Sequence, residues 1–128
     1  MSSSSQLQLQ DRLQEASIEF QKLQAELSKV VDARQRLDAQ FSENELVKKE
    51  FEQLTPENNV YKLIGPVLVK QDQAEAKSNV KTRLDFIRSE IRRVEGQIKE
   101  IQDKQEKKKT ELVQIQSALQ QPPVPSTS

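Results

Sequence analysis

Cysteine and histidine are both absent from the 128 residues of this chain. Their absence excludes thiolate nucleophiles, disulfides and imidazole general bases, and it removes the usual ligands of zinc. Many carboxylates remain, but on exposed helices they lack the enclosing pocket that acid–base catalysis requires. We therefore expect a protein that is not an enzyme and that uses no metal or cofactor.

Glycine and aromatic residues are scarce. The two glycines, Gly65 and Gly96, are too few for a glycine-rich phosphate-binding loop. Aromatic residues make up 4% of the chain and apolar residues 34%, which argues against a conventional globular core. The composition therefore favours an elongated architecture.

Neither an excess of one charge nor a long apolar run is present. Lysine plus arginine and aspartate plus glutamate each number 20, so the formal net charge is zero and no global field favours nucleic acid or an anionic membrane. No apolar run approaches the roughly 18 consecutive residues of a membrane span, and the polar residues 1–5 do not resemble a signal peptide. We expect a soluble cytoplasmic protein and leave a nuclear location open.

The first half of the chain has the heptad spacing of a coiled-coil helix. Ser5 and Gln8 resemble a capping box, and Thr55-Pro56 ends the pattern, so we predict a first helix over residues 6–54. Apolar residues then recur at alternating steps of three and four, which is a heptad seam. The seam contains Leu13, Ala16, Phe20, Leu23, Leu27, Val30, Leu37, Phe41 and Phe51.

Three positions of this seam are polar, namely Arg34, Asn44 and Lys48. A polar seam residue fixes helix register at a cost in stability, because misaligned pairings bury an unpaired group. Local fraying is the alternative, and for Asn44 both interpretations stay open. The Lys48 stem is long enough to carry its charge to water.

Two short β-strands are predicted at the midpoint, forming a hairpin over residues 59–70. Residues 60–64 and 67–69 are β-branched and aliphatic, and Gly65-Pro66 separates them. A helix does not easily cross that dipeptide, whereas a tight turn accommodates it.

A second helix is predicted over residues 72–120, with Asp72 and Glu75 at its start and a disordered proline-rich tail, 121–128, after it. Gln105 and Lys108 interrupt its seam and should weaken packing there. The seam contains Val80, Leu84, Ile87, Ile91, Val94, Ile98, Ile101, Leu112, Ile115 and Leu119.

These elements predict a mainly α fold, with residues 1–128 forming a single domain. Each helix carries one apolar stripe that needs a partner, and the two stripes are nearly equal in length. Because Gly65-Pro66 lies near the midpoint, the chain can reverse there. The result is a long antiparallel intramolecular coiled coil with one central β-hairpin.

The hairpin is predicted to assemble with hairpins of other chains. A lone two-stranded hairpin is marginal in water, and apolar residues occupy both faces of this one. Unpaired strand edges favour a shared sheet or closed barrel, although packing on the chain's own helices is the alternative. The assembly candidates are Val60, Tyr61, Leu63, Ile64, Val67, Leu68 and Val69.

The sequence resembles a known family at this point. The stretches 37–44, 47–50 and 59–71, together with 83–87, resemble β-type prefoldin subunits, and the run from Tyr61 to Gln71 is the most specific of them. The resemblance extends from about residue 27 to residue 101. A single hairpin is similar to the β-type rather than to the two-hairpin α-type.

The resemblance implies a co-chaperone that works without ATP. It implies a hetero-hexamer of two α-type and four β-type subunits, in which the hairpins join a double β-barrel and six coiled coils project from it. Its expected partners are the other α-type and β-type subunits, unfolded actin and tubulin, and the cytosolic chaperonin that receives them. Nucleic acid and membranes are not expected partners.

Clients are expected to contact the ends of the coiled coil. The polar Gln105 and Lys108 should let the terminal segments separate and expose apolar faces. The candidate residues are Leu7, Leu9, Leu13, Leu112, Ile115 and Leu119. The alternative is that these residues simply complete the coiled coil.

Two other functions are weighed against the chaperone. A structural tether or a tubulin-binding helical cofactor would need only heptads, and the central hairpin argues against it. Nucleic-acid binding would use Arg92-Arg93 or Lys104 with residues 107–109, but acidic residues interspersed along the same helix favour a mixed, solvated face.

Overall fold

A computed structural model gives the structure of the chain and describes residues 3–121. Helix α1 spans Ser3–Glu52, strands β1 and β2 span Val60–Ile64 and Val67–Gln71, and helix α2 spans Gln73–Gln120. The predicted mainly α fold, two long antiparallel helices with a central β-hairpin, is confirmed. Except for Gln121, the predicted disordered tail at 121–128 lies outside the described residues.

The chain divides into two compact units, and both helices run through each of them. The hairpin unit comprises residues 32–95 and contains the end of α1, both strands and the start of α2. The terminal unit comprises residues 1–31 and 96–128, of which 3–31 and 96–121 are described.

The predicted seam of α2 forms most of the buried interior. In the hairpin unit the buried residues all lie on α2, whereas the α1 seam residues Leu37, Phe41 and Phe51 are half-buried. Burying a Val, Leu or Ile side chain stabilises the fold by about 1.5–3 kcal/mol, so this stripe accounts for much of the pairing. The buried residues of this unit are Ala76, Val80, Leu84, Ile87 and Val94.

Two polar seam residues of the hairpin unit, Arg34 and Asn44, make contacts across the helix pair. Arg34 donates to Glu95 at 2.8 Å. The Asn44 amide nitrogen donates to the Gln40 carbonyl at 2.7 Å, and its Oδ1 accepts a hydrogen bond from Arg83 at 3.2 Å. This cross-helix contact favours the register interpretation of Asn44 over local fraying.

Lys48 is exposed, as its long stem allows. On the same side of the hairpin unit, Arg88 lies 5.2 Å from the centroid of the Phe41 ring and pairs with Glu45 at 3.2 Å. Both contacts join α2 to α1, so the rim of the unit is held by charge as well as by apolar packing.

The terminal unit contains a lysine on the seam. Lys108 is half-buried and forms ion pairs with Glu19 of α1 and, at 3.0 Å, with Glu111 of its own helix. Hydrogen bonding to Glu19, and then to Glu111, raises the pKa of the Lys108 ammonium group above its ordinary value. The lysine therefore stays charged at the position where an apolar seam residue is expected.

The hairpin turn depends on Gly65. The strands pair antiparallel with Ile64 opposite Val67, so Gly65 and Pro66 are the two central residues of the turn. Gly65 has φ of 58°, a left-handed value that no non-glycine residue among those described adopts. A positive φ at the first central position alone is typical of a type II′ turn, which suits the twist of paired strands.

The observed helix ends differ slightly from the prediction at the first helix. α1 begins at Ser3 rather than at residue 6, so Ser5 lies inside the helix and the predicted capping box is wrong. Residues 2–5 are all serines, so each offers the same capping hydroxyl. Sequence spacing alone does not show at which serine the helix begins. α2 begins as predicted, because the Asp72 carboxylate accepts a hydrogen bond from the backbone N–H of Glu75 at 3.1 Å.

Gln73 joins the loop after α1 to the start of α2. Its side-chain Nε2 donates to the carbonyl of Thr55 at 2.8 Å and to the carbonyl of Asn58 at 2.6 Å. The same loop is closed internally, since the backbone N–H of Thr55 donates to the Asn58 side chain at 2.7 Å. Gln73 therefore fixes the path by which the chain enters and leaves the hairpin.

We predict that Gln73→Leu loosens this loop, because it removes two hydrogen bonds worth about 1 kcal/mol each. Hydrogen exchange of the segment 53–60 in the purified full chain should accelerate by about tenfold or more. Gln102→Leu, an exposed glutamine on the same helix, is the matched control and should leave that segment unchanged. Equal exchange in the two variants would show that Gln73 does not hold the loop.

Candidate functional site

Apolar side chains of the hairpin lie exposed on its surface. Six of the seven predicted assembly residues are between 44% and 65% exposed, and the seventh, Val60, is half-buried. The chain's own helices therefore do not cover them, which argues against packing of the hairpin on its own helices. The exposed six are Tyr61, Leu63, Ile64, Val67, Leu68 and Val69.

The strand register places apolar residues on both faces of the sheet. Side chains alternate along a strand, so the pairs Ile64–Val67 and Lys62–Val69 share one face with Val60. The pairs Leu63–Leu68 and Tyr61–Lys70 form the other face. Covering only one face would leave the second in water, so a complete cover needs partners on two sides.

The hairpin also has two open edges. Among residues 3–121 the sheet contains β1 and β2 alone, so the outer edge of each strand has no neighbouring strand. Unpaired backbone N–H and C=O groups at such edges are templates for another chain. Apolar faces and open edges together are the geometry of a strand-mediated assembly surface.

The structure distributes the predicted client-contact residues unevenly. Leu7 is 59% exposed, whereas Ile115 is 2% exposed and belongs to the buried interior of the terminal unit. Leu9, Leu13, Leu112 and Leu119 are half-buried. Ile115 thus completes the helix pairing in this structure, and Leu7 is the member of the set that is most accessible to another molecule.

Heptad counting missed other exposed apolar residues. Ile18 and Val113 in the terminal unit, and Leu46 and Phe86 in the hairpin unit, are all exposed. They lie off the seam, where a count of seam positions does not look for them. The sequence does contain a signal for these exposed residues, because they are large apolar residues at heptad positions that face outward.

A groove in the terminal unit lies beside Lys108. It has a volume of about 460 Å³ and is lined by Leu23 together with lysines and glutamates, which include Lys104 and Glu26. Lys108 turns its charge towards Glu19 and Glu111, so the seam lacks an apolar side chain there. This open groove lies at the part of the seam where we expected weaker packing.

Three of the six basic residues considered for nucleic-acid binding, Arg93, Lys104 and Lys108, form ion pairs with acidic side chains. Arg93 donates to Glu90 at 2.8 Å, a bond that lowers the pKa of the Glu90 carboxyl and raises the pKa of the Arg93 guanidinium. Lys104 lies 3.7 Å from Glu100. The mixed, solvated face predicted from the sequence therefore fits these residues better than a free basic patch.

Within residues 3–121, no group of acidic side chains is arranged to hold a metal ion. A search of the same residues finds no helix that is both long and apolar enough to cross a membrane.

Known proteins are similar to this chain in both sequence and fold. A family model described as prefoldin subunit matches residues 14–118. Prefoldin subunit 6 of Bos taurus is 43% identical over 112 residues, which cover 88% of this chain and 87% of that protein. Prefoldin subunit 6 of Arabidopsis thaliana is 41% identical over 120 residues, covering 94% of this chain and 93% of that protein.

The fold comparison agrees with the sequence comparison. The crystal structure of the prefoldin beta subunit from Thermococcus strain KS-1 superposes with a TM-score of 0.76 and is 26% identical in sequence. The match covers 87% of this chain and 95% of that one. The resemblance noted from the hairpin residues is thus confirmed over most of the chain. The chain belongs to the prefoldin family of non-enzymatic chaperone subunits, among its β-type members.

Proposed function

We propose that this chain enters a prefoldin hetero-hexamer through its hairpin and that the complex captures unfolded proteins at the helix ends. Membership of the family already implies a chaperone subunit with other prefoldin subunits as partners. The observation that carries the assembly step is the exposure of six apolar side chains on both faces of the hairpin.

Burial of these side chains provides the driving force for assembly. Removing apolar surface from water contributes about 25 cal/mol per Å², and neighbouring hairpins that add to the open edges also satisfy backbone groups. The proposed product is a shared β-barrel, because a closed sheet leaves no free edge. The hairpin thereby joins this chain to both α-type and β-type subunits.

The helix ends are the proposed site of client contact. Leu7 is exposed on α1. The other leucines of the set are half-buried, on α1 at Leu9 and Leu13 and on α2 at Leu112 and Leu119. A modest separation of the helices would therefore enlarge the exposed apolar surface. Ile115 would join that surface only if the helices separate, since it is buried in the closed pairing. Weak contacts from several subunits then add through multivalency, which suits clients without a fixed shape.

The proposed clients are unfolded actin and tubulin, and the proposed recipient is the cytosolic chaperonin. Transfer proceeds without ATP, in keeping with a sequence whose two glycines do not form a phosphate-binding loop. The proposed location is the cytoplasm, where that chaperonin acts.

The first prediction from the proposed function concerns assembly. The double variant Val67→Asp, Val69→Asp should lower incorporation into the hexamer by about a hundredfold or more, because assembly would bury two unpaired carboxylates. Both valines are exposed in the single chain, so the helices should form normally. Native mass spectrometry after co-expression with the other subunits measures incorporation, and circular dichroism checks the helices.

Leu46→Asp is the matched control, because Leu46 is 61% exposed on α1 and lies outside the hairpin. It should enter the hexamer like the unchanged chain. Full incorporation of the double valine variant would eliminate the hairpin as the assembly surface.

The second prediction concerns client contact. The double variant Leu7→Ser, Leu9→Ser should assemble normally and bind unfolded actin about fivefold more weakly, since it removes roughly 1 kcal/mol of apolar contact from one of several sites. Deleting residues 1–12 and 110–128 should weaken binding further. Equilibrium binding of fluorescent unfolded actin to the purified hexamer measures both effects.

Leu46→Ser provides the control for this experiment, because it removes an equally exposed leucine of the same helix from the hairpin unit. If the deleted chain still forms hexamers that bind unfolded actin at full strength, client contact lies elsewhere.

A further inference from the structure

A second apolar surface lies beside the hairpin, on the helices of the hairpin unit. It is a groove of about 610 Å³ whose walls come from both helices and from both strands. Its apolar lining consists of Val47, Phe51, Val60, Ala76, Val80 and Phe86. Phe86 is 63% exposed, so one of the two phenylalanines at this groove is turned largely to solvent.

The charge of the groove is one-sided. Lys62 and Arg83 are the charged residues of its lining, and no aspartate or glutamate lines it. Arg83 donates one hydrogen bond, to Asn44 Oδ1 at 3.2 Å, whereas a guanidinium group carries five N–H donors. An occupant that brings an apolar side chain to Phe86 and a carboxylate to Arg83 would therefore complement both features.

The groove is continuous with the hairpin. Tyr61 and Lys62 of β1 and Gln71 of β2 also line it. A segment that pairs with the hairpin of this chain would thus reach the groove without a separate binding event. The chains that pair with the hairpin are therefore the candidate occupants of the groove.

A second copy of this chain is a poor occupant. Its hairpin segment, residues 60–71, carries Lys62 and Lys70 and no acidic residue. Docking that segment into the groove would bring lysine towards Lys62 and Arg83, and opposed like charges destabilise an interface. Among hairpin segments, the charge pattern therefore favours one that carries an acidic residue, which segment 60–71 of this chain does not.

We propose that this groove receives an acidic, partly apolar segment of a different prefoldin subunit. Phe86 packs against its apolar side chain, Arg83 pairs with its carboxylate, and the cationic rim disfavours a second copy of this chain. The inference rests on the proposed hairpin assembly and adds to it a residue-level basis for the choice of partner.

Competitive incorporation tests the proposal. Phe86→Ala and Arg83→Glu chains, each co-expressed with the unchanged chain and the other subunits, should enter hexamers about tenfold less often, as native mass spectrometry would record. Leu46→Ala and Arg92→Glu are the matched controls, since one truncates an exposed apolar side chain and the other reverses an exposed arginine's charge, both outside the groove lining. Each should compete equally. Equal incorporation of all four variants would overturn the proposal.

Photo-crosslinking identifies the occupant and does not depend on the folding of those variants. Phe86 is replaced by p-benzoylphenylalanine, which keeps an aromatic ring, and the purified hexamer is irradiated. Crosslinks to a different prefoldin subunit are expected. Crosslinks to a second copy of this chain, crosslinks to an unfolded client, or no crosslink would each refute the assignment.

The outcome separates this inference from the assembly proposal. If Val67→Asp, Val69→Asp blocks assembly while the groove variants compete equally, the groove assignment alone fails. If the hairpin variant also assembles fully, the hairpin proposal itself fails.

Discussion

The pairing of two helices is the constraint on which the rest of this structure depends. Helices of 50 and 48 residues each carry one apolar stripe, and the two stripes bury each other. The paired helices do not cover the two strands between them. The apolar side chains of those strands therefore lie exposed. The chain is thus stable in its helices and incomplete at its hairpin, as expected of a subunit that is finished only by assembly.

Polar residues on the seam have separate roles in the two units. In the hairpin unit Arg34 and Asn44 make specific contacts to α2, which hold the register of the helix pair. In the terminal unit Lys108 forms ion pairs with Glu19 and Glu111 beside an open groove. Apolar packing is replaced there by partly exposed ion pairs, and such pairs hold helices together only weakly. Weak closure suits the proposed role of the helix ends in receiving clients of variable shape.

Sequence reasoning predicted the helices and the hairpin because each has a strong local signal. Heptad spacing gave the buried stripe of α2, and Gly65-Pro66 gave the turn. The bridging role of Gln73 could not be predicted, because its partners Thr55 and Asn58 lie 18 and 15 residues away. The sequence around Gln73 does not distinguish it from other glutamines of the chain.

The proposed functional surfaces were only partly predictable from residue spacing. The hairpin residues were found because both strand faces are apolar, whereas Phe86 was missed because heptad analysis treats off-seam positions as solvent-facing. Whether Ile115 is buried or available depends on how closely the helix ends pair, and that is a tertiary property. The apolar pattern predicts which residues form the stripe, but it does not predict how closely the two helices pack along it.

The central claim is that this chain is one β-type member of a hetero-hexamer and not a self-sufficient oligomer. Native mass spectrometry of the endogenous complex, isolated through this chain, tests that claim most directly. The account predicts a single copy of this chain among six different prefoldin subunits. Two or more copies of this chain in one complex, or recovery of the chain without other prefoldin subunits, would contradict it.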